Sequence, residues 1–144
     1  MVHKLTLSCF LIAFFLISFS QIAFGQLAPK EISTKFFDIF KQEGPSQAVD
    51  YLFSTNKYSE ESKKDINSIK DKLRDNGPAF GAYSNYELLS TKMAGKDLEL
   101  LTFIVKYDRL PLVFKLLFYK PADEWRIQDL TFDTNLEVML KDVN

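Results

Sequence analysis

The residues most able to do chemistry lie in one short segment of the chain, Tyr107 to Pro111. The segment places a tyrosine, a carboxylate and a guanidinium side by side, and a guanidinium binds anionic ligands through paired, coplanar hydrogen bonds. Neighbouring side chains of a strand point to opposite faces, so the three groups cannot all converge on one ligand. Two interpretations therefore stand. Either Tyr107 and Arg109 bind a ligand, or the segment is a solvated polar hairpin whose Pro111 sets the entry to the next strand.

A buried carboxylate beside a tyrosine would support acid–base catalysis of the ketosteroid-isomerase kind. Such a site needs a carboxylate as the base and a tyrosine or a protonated acid as the oxyanion donor. Residues of both types are present: Tyr51, Tyr83, Tyr86, Tyr107 and Tyr119, with Glu87, Glu99 or Asp129 as partners. Only Asp129 is flanked by apolar strand residues on both sides, and its alternative role is to bond nearby backbone at a bulge. Asp129 and Trp125 are retained as candidate ligand-binding residues, and no catalytic residue is assigned.

The positions of cysteine and histidine exclude several classes of enzyme. The single cysteine, Cys9, and the single histidine, His3, both lie in the first 25 residues. If that segment is removed, the remaining chain forms no disulfide, has no thiol nucleophile and builds neither a Cys/His zinc site nor a histidine-based triad. No calcium-loop pattern is present either, so the sequence predicts no metal and no cofactor.

The first 25 residues have the pattern of a signal peptide. After the basic Lys4 an apolar run extends from Leu5 to Phe19, and the small residues Ala23 and Gly25 end the segment. Signal peptidase accepts only small side chains at these two positions, so we expect cleavage after Gly25 and export to the periplasm or out of the cell. The alternative is an uncleaved anchor, because about 20 apolar residues span a bilayer. After cleavage no stable membrane anchor is expected.

The predicted mature domain, residues 26–144, is long enough for one two-layer fold with its own core. Without Lys4 it carries 17 basic and 19 acidic residues, a formal charge of −2. So small an imbalance gives little attraction for polyanions, and nucleic acid is not a predicted partner. Export without disulfides is more typical of a bacterial periplasm than of a small secreted animal domain.

Three helices are predicted in the N-terminal half. Apolar residues recur at helical spacing from Ile32 to Phe40, and Gly44-Pro45 ends this helix and begins a short second one. The third helix is expected to begin with Ser59 as its N-cap and to stop at Asn76-Gly77-Pro78, where glycine supplies the C-cap and proline prevents continuation.

From Tyr83 onward the apolar period changes to two, which predicts four antiparallel strands. Their expected ranges are Tyr83–Lys92, Asp97–Asp108, Leu112–Tyr119 and Trp125–Asp133, followed by a short helix or tail. The second and third strands are apolar on both faces, which indicates central positions, and the last is expected to contain a bulge near Gln128-Asp129. The sequence thus predicts an α+β fold in which N-terminal helices pack on a curved four-stranded antiparallel meander, like a cone.

The order of elements, the length and the pattern Phe118-Tyr119-Lys120-Pro121-x-x-x-Trp125 resemble small exported members of the nuclear-transport-factor-2-like superfamily. The resemblance implies a cone-shaped domain that often dimerises through its sheet and frequently holds a hydrophobic ligand between helices and sheet. Some members are isomerases or dehydratases. A shared fold does not carry a function across, because functions belong to individual sites.

The second face of the sheet needs a cover. Val113, Leu117 and Tyr119, with Leu100 and Ile104, leave an exposed apolar patch if the helices pack on one face only. A homodimer about a two-fold axis covers this patch, and so does a terminal helix that folds back over it. We predict a non-catalytic exported binding module for a small apolar ligand or a protein partner. The alternative is a histidine-free isomerase or hydratase that uses a tyrosine and a carboxylate in the helix–sheet pocket.

Overall fold

The computed structural model describes residues 26–143, so the predicted signal peptide lies outside the described residues. Three helices come first, four strands follow, and another helix ends the described chain. The helices are α1 (Pro29–Gln42), α2 (Pro45–Ser54), α3 (Lys63–Phe80) and α4 (Leu136–Val143). The strands are β1 (Tyr83–Ala94), β2 (Leu98–Tyr107), β3 (Leu112–Tyr119) and β4 (Arg126–Asp133).

The first two helices follow the predicted pattern. At the start of α1 the Ala28 N–H donates a hydrogen bond to the Glu31 carboxylate (2.7 Å), which satisfies a donor that lacks a partner within the helix. Gly44 then adopts a φ of 102°, which glycine tolerates, and Pro45 opens α2. The buried apolar residues of α1 are Ile32, Phe36, Phe37 and Phe40.

The third helix differs from the prediction at both ends. Ser59–Ser62 form a 3₁₀ turn, and α3 begins only after it. At the other end α3 runs through Gly77 and Pro78 to Phe80, so the predicted stop is wrong. The added residues bring Phe80 into the core, where it is 6% exposed, and Gly81 rather than Gly77 has the positive φ that ends the helix. Burial of an aromatic ring outweighs the local stop signal.

The sheet is the predicted meander. Its strands are antiparallel in the order β1-β2-β3-β4, which makes β2 and β3 central, as their two apolar faces indicate. The predicted bulge in β4 is confirmed, because Phe118 pairs with Ile127 while Leu117 pairs with Asp129, leaving Gln128 as the extra residue. Two further irregularities, in β1 between Tyr83 and Asn85 and between Leu88 and Ser90, were not predicted.

The core lies between the three N-terminal helices and one side of the sheet. Alternate residues of the two central strands supply most of the sheet's share, and each is at most 3% exposed. They are Leu101, Phe103, Val105, Leu112, Phe114, Leu116 and Phe118. The α+β fold class is therefore confirmed, with helices packed against an open sheet that does not close into a barrel.

Candidate functional site

The space between helices and sheet, where the resemblance implies an apolar ligand, is filled by aromatic side chains. The ring of Phe37 stacks on Tyr86 with 4.1 Å between centroids, and it meets the rings of Phe36 at 4.9 Å and Phe103 at 5.0 Å. The ring centroids of Phe114 and Phe36 are 6.1 Å apart. These distances fall close to the range of favourable aromatic pairs. Protein side chains thus occupy this part of the interior.

A cavity of about 240 Å³ opens where the end of α3 meets the start of β3 and the end of β4. Its lining residues are Asn76, Phe80, Leu112, Phe132, Asp133 and Thr134. Sites for small molecules usually measure upward of about 300 Å³ and are mostly apolar. This cavity is smaller and half of its lining residues are polar, so it suits an apolar ligand poorly.

Burial, then Tyr86 and Asp38, raise the pKa of Tyr83, so a carboxylate does lie near this tyrosine. Asp38 is exposed, however, and is not the buried base that acid–base catalysis of the ketosteroid-isomerase kind needs. Burial raises the pKa of Tyr107 to about 12, and the neighbouring Tyr83 adds to the increase. The most buried carboxylate in the described chain is Glu99, at 9% exposure. Its cross-strand neighbours are Met93 and Phe118, so no tyrosine lies beside it in the sheet.

The turn between β2 and β3 fixes the end of α3. The Ala82 N–H donates a hydrogen bond to the Asp108 carboxylate (2.6 Å), and the Arg109 N–H donates one to the Phe80 carbonyl (3.2 Å). Gly81 passes so close that a β-carbon there would overlap the Asp108 carboxylate, and its φ of 87° also requires glycine. The Arg109 side chain remains exposed. The geometry gives this turn a structural role.

The four candidate ligand-binding residues are not brought together. Tyr107 and Arg109 lie at the β2–β3 turn, whereas Trp125 precedes β4 at the opposite end of the sheet. The eight residues of β3 separate the two ends by roughly 25 Å. Asp129 is exposed on β4, in register with Leu117 of β3. Trp125 is partly buried, and the Lys120 ammonium lies 5.2 Å from its ring centroid.

The side of the sheet opposite α1, α2 and α3 is called the open face below. Its central leucines, Leu98, Leu100 and Leu117, are half-buried, and Tyr119 is 37% exposed. Other parts of the open face are covered, since Thr102 and Val113 on the same side are buried. A shallow cavity of about 250 Å³ lies over its exposed end, lined by Lys92, Met93, Ala94, Leu98, Leu100 and Leu117. An apolar surface thus remains at this end.

One row of residues across the open face has a regular order of charge. The register pairs Lys92 with Leu100, Leu100 with Leu117, and Leu117 with Asp129. From β1 to β4 the row therefore reads cation, leucine, leucine, carboxylate. The next row toward the β1–β2 turn is Ala94, Leu98, Tyr119 and Arg126. Asp129 was predicted from the sequence as a site residue, whereas Lys92 was not. The only local sign of its place in this row is its position just before the Gly95-Lys96 turn.

Comparisons with known proteins give no identification. No protein-family model, curated protein or solved structure matches this chain. Within residues 26–143, no helix is long and apolar enough to cross a membrane. The same residues contain no group of three histidine, cysteine, aspartate or glutamate side chains placed to hold a metal ion.

Proposed function

We propose that the chain is an exported, non-catalytic binding module that binds a protein surface on its open face, and that the partner is a second copy of the chain. The half-buried leucines of the open face carry the proposal, because Leu98, Leu100 and Leu117 line an apolar cavity of about 250 Å³ at its exposed end. The filled interior supports it, since it leaves the outer surfaces for a partner. The resemblance to nuclear-transport-factor-2-like domains, which often dimerise through the sheet, agrees with it.

A two-fold axis that lies in the interface, parallel to the strands and between β2 and β3, maps the row from Lys92 to Asp129 onto itself. Lys92 then faces Asp129 of the partner subunit, and Leu100 faces Leu117 of the partner subunit. Opposite charges meet at both edges while apolar side chains meet in the centre. An axis across the strands instead brings Lys92 against Lys92 of the partner subunit, which like-charge repulsion disfavours.

The contact is small. A face of four strands about 4.8 Å apart and about eight residues long has roughly 500 Å², and because Thr102 and Val113 are buried the available area per copy is smaller than this. That area is at the low end for specific interfaces. We therefore expect a reversible equilibrium between monomer and dimer.

Exchanging the two charges tests the arrangement. Lys92→Glu or Asp129→Lys alone places like charges across the axis, so each single variant is expected to raise the dimer dissociation constant at least tenfold. The double variant restores opposite charges and is expected to return close to the original value. Sedimentation velocity over a concentration series measures all three.

Lys64→Glu is the matched control, because Lys64 lies exposed on α3, away from the open face. It is expected to leave association unchanged. Single variants that associate more tightly than the original chain would show that like charges already meet, and would overturn the proposed axis. A chain that stays monomeric at every concentration would overturn the second copy as the partner.

Native mass spectrometry of the protein purified from its own host tests the other parts of the proposal. The expected result is a dimer whose subunits begin at Gln26 and carry no apolar small molecule. Subunits that keep residues 1–25 would contradict cleavage and export. A co-purified apolar molecule would replace the protein partner with a small-ligand function.

A further inference from the structure

Arg126, the first residue of β4, lies against two tyrosine rings. Its guanidinium carbon is 5.1 Å from the ring centroid of Tyr58 and 5.6 Å from that of Tyr119. Contacts of this kind hold a guanidinium through its flat faces and leave the N–H groups at its edge free to donate. The Arg126 Nε is buried and has no hydrogen-bond partner among the described residues. Nε is enclosed by the chain itself, so only the two terminal NH2 groups of the guanidinium can donate to a molecule from outside.

The position of Tyr58 depends on a tether between the α2–α3 loop and β4. The Asn56 side-chain amide donates to the Ile127 carbonyl (2.9 Å), and the Ile127 N–H donates to the Thr55 hydroxyl (3.0 Å). The Asn56 side-chain oxygen in turn accepts a hydrogen bond from the Tyr58 N–H (3.0 Å). The loop is therefore fixed to the residue that follows Arg126. These hydrogen bonds hold the Tyr58 ring in a fixed position beside the Arg126 guanidinium.

Arg126 lines two cavities, of about 410 Å³ and about 200 Å³. The larger is lined by Gln26, Thr55, Lys57, Pro121, Ala122, Asp123, Glu124 and Arg126. Its volume lies in the range of small-molecule sites. Lys57 and Arg126 supply two positive charges, and Asp123 and Glu124 supply two negative ones. Because the positive and negative charges of the lining are equal in number, a doubly charged phosphate is disfavoured relative to a singly charged anion.

We propose that Arg126 binds the carboxylate of a small molecule or of a peptide chain end in the larger cavity. A planar carboxylate matches the two terminal NH2 groups of a guanidinium through two parallel hydrogen bonds. The cavity exceeds the size of a carboxylate group, so it also holds the atoms attached to it. The β3–β4 turn and the α2–α3 loop form this site, and Lys92 and Asp129 take no part in it.

Side-chain NMR of the Arg126 Nε–H tests the proposal on the full-length chain as its host processes it. The probes are acetate, triglycine, triglycine amide and inorganic phosphate, each at constant ionic strength. We expect the Nε–H resonance to shift to saturation with acetate or triglycine. Triglycine that binds more tightly than acetate, with the amide inactive, identifies a peptide chain end. Equal affinities for acetate and triglycine identify a free small carboxylate.

Arg126→Lys keeps the positive charge and removes the planar fork, so carboxylate affinity is expected to fall at least tenfold. Isothermal titration calorimetry measures it, because this variant lacks the reporter N–H. Arg74→Lys is the matched control, because Arg74 is exposed on α3 and paired with Asp71 and Asp75. Its affinity should equal that of the original chain. Three outcomes overturn the proposal: a response that never saturates, tighter binding of phosphate than of either carboxylate, or unchanged affinity in Arg126→Lys. The first two are read on the original chain, so they hold even if a variant folds poorly.

Discussion

The two faces of the sheet are built from similar residues and have different surroundings. On β3, Phe114 and Leu116 point to the helices and are fully buried, whereas Leu117, the next residue along the strand, points to the open face and is half-buried. The helix-facing side meets a layer of aromatic rings from α1, beginning with Phe36 and Phe37. The exposed end of the open face carries leucines beside charged side chains.

This contrast separates apolar character from burial. Leu116, on the helix-facing side, adds to the core of the chain. Leu117, on the open face, keeps part of its apolar surface exposed. Large exposed apolar patches on soluble proteins usually mark interaction sites. The helix-facing side is therefore expected to contribute more to stability than the open face does.

The largest expected effect comes from opening the core. Phe114 is fully buried among the rings of Phe36, Phe37 and Phe40. Phe114→Ala removes these contacts and leaves a cavity, so the free energy of unfolding is expected to fall by about 3–5 kcal/mol. Chemical denaturation measures the change. A loss below about 1 kcal/mol would show that the helix-facing side contributes no more to stability than the open face does.

A smaller effect on stability is expected at Gly81, where the β2–β3 turn fixes the end of α3. Gly81→Ala forces a β-carbon into the Asp108 carboxylate at a φ of 87°, so we expect a loss of about 1–3 kcal/mol. Gly77→Ala is the control four residues earlier. Gly77 is helical with open space around it, so alanine there should stabilise the chain by about 0.5–1 kcal/mol. Thermal unfolding of both variants should show shifts of opposite sign.

The dependence of stability on alkaline pH tests the burial of Tyr107 on the helix-facing side of the sheet. The folded chain holds the pKa of Tyr107 at about 12, above the ordinary value of 10. As pH rises from 10 to 12, the unfolded chain loses this proton first, so the free energy of unfolding falls with pH. Tyr107→Phe removes this contribution and should make the fall shallower. Denaturation below pH 10 and at about pH 11 measures it, and equal slopes in both chains would contradict the burial of Tyr107.

The smallest effect on stability is expected on the open face. Leu117→Thr keeps a residue that suits a strand and removes apolar surface that is only half-buried. In dilute, monomeric protein it should cost less than about 1 kcal/mol. Denaturation at low concentration, compared directly with Phe114→Ala in the same strand, checks this. A cost similar to that of Phe114→Ala would mean that the open face is itself core.

Local sequence signals predicted most of the fold. The spacing of apolar residues located α1, and the bounds of β3 agree with the prediction at both ends. The end of α3 was misplaced because Asn76-Gly77-Pro78 is a good local stop signal. Its outcome depends on Phe80, whose burial against the sheet no neighbouring residue reveals.

The candidate sites were less predictable, because they depend on contacts between distant residues. Asp129 was identified, but its place in a row with Lys92 needs the register of all four strands, including the two unpredicted irregularities in β1. Arg126 and Tyr58 are 68 residues apart and meet only through the tether to Ile127. No local pattern in the sequence marks such a pair.

The tether between the α2–α3 loop and β4 also has a consequence for the order of folding. Asn56 bonds to a residue 71 positions later in the chain, so its loop cannot reach its final conformation until the last strand has been synthesised and docked. Contacts between residues so far apart form slowly, because a long segment must close before they give any stabilisation. The Arg126 pocket is therefore expected to assemble in the last steps of folding, and a chain that ends before β4 should lack it entirely.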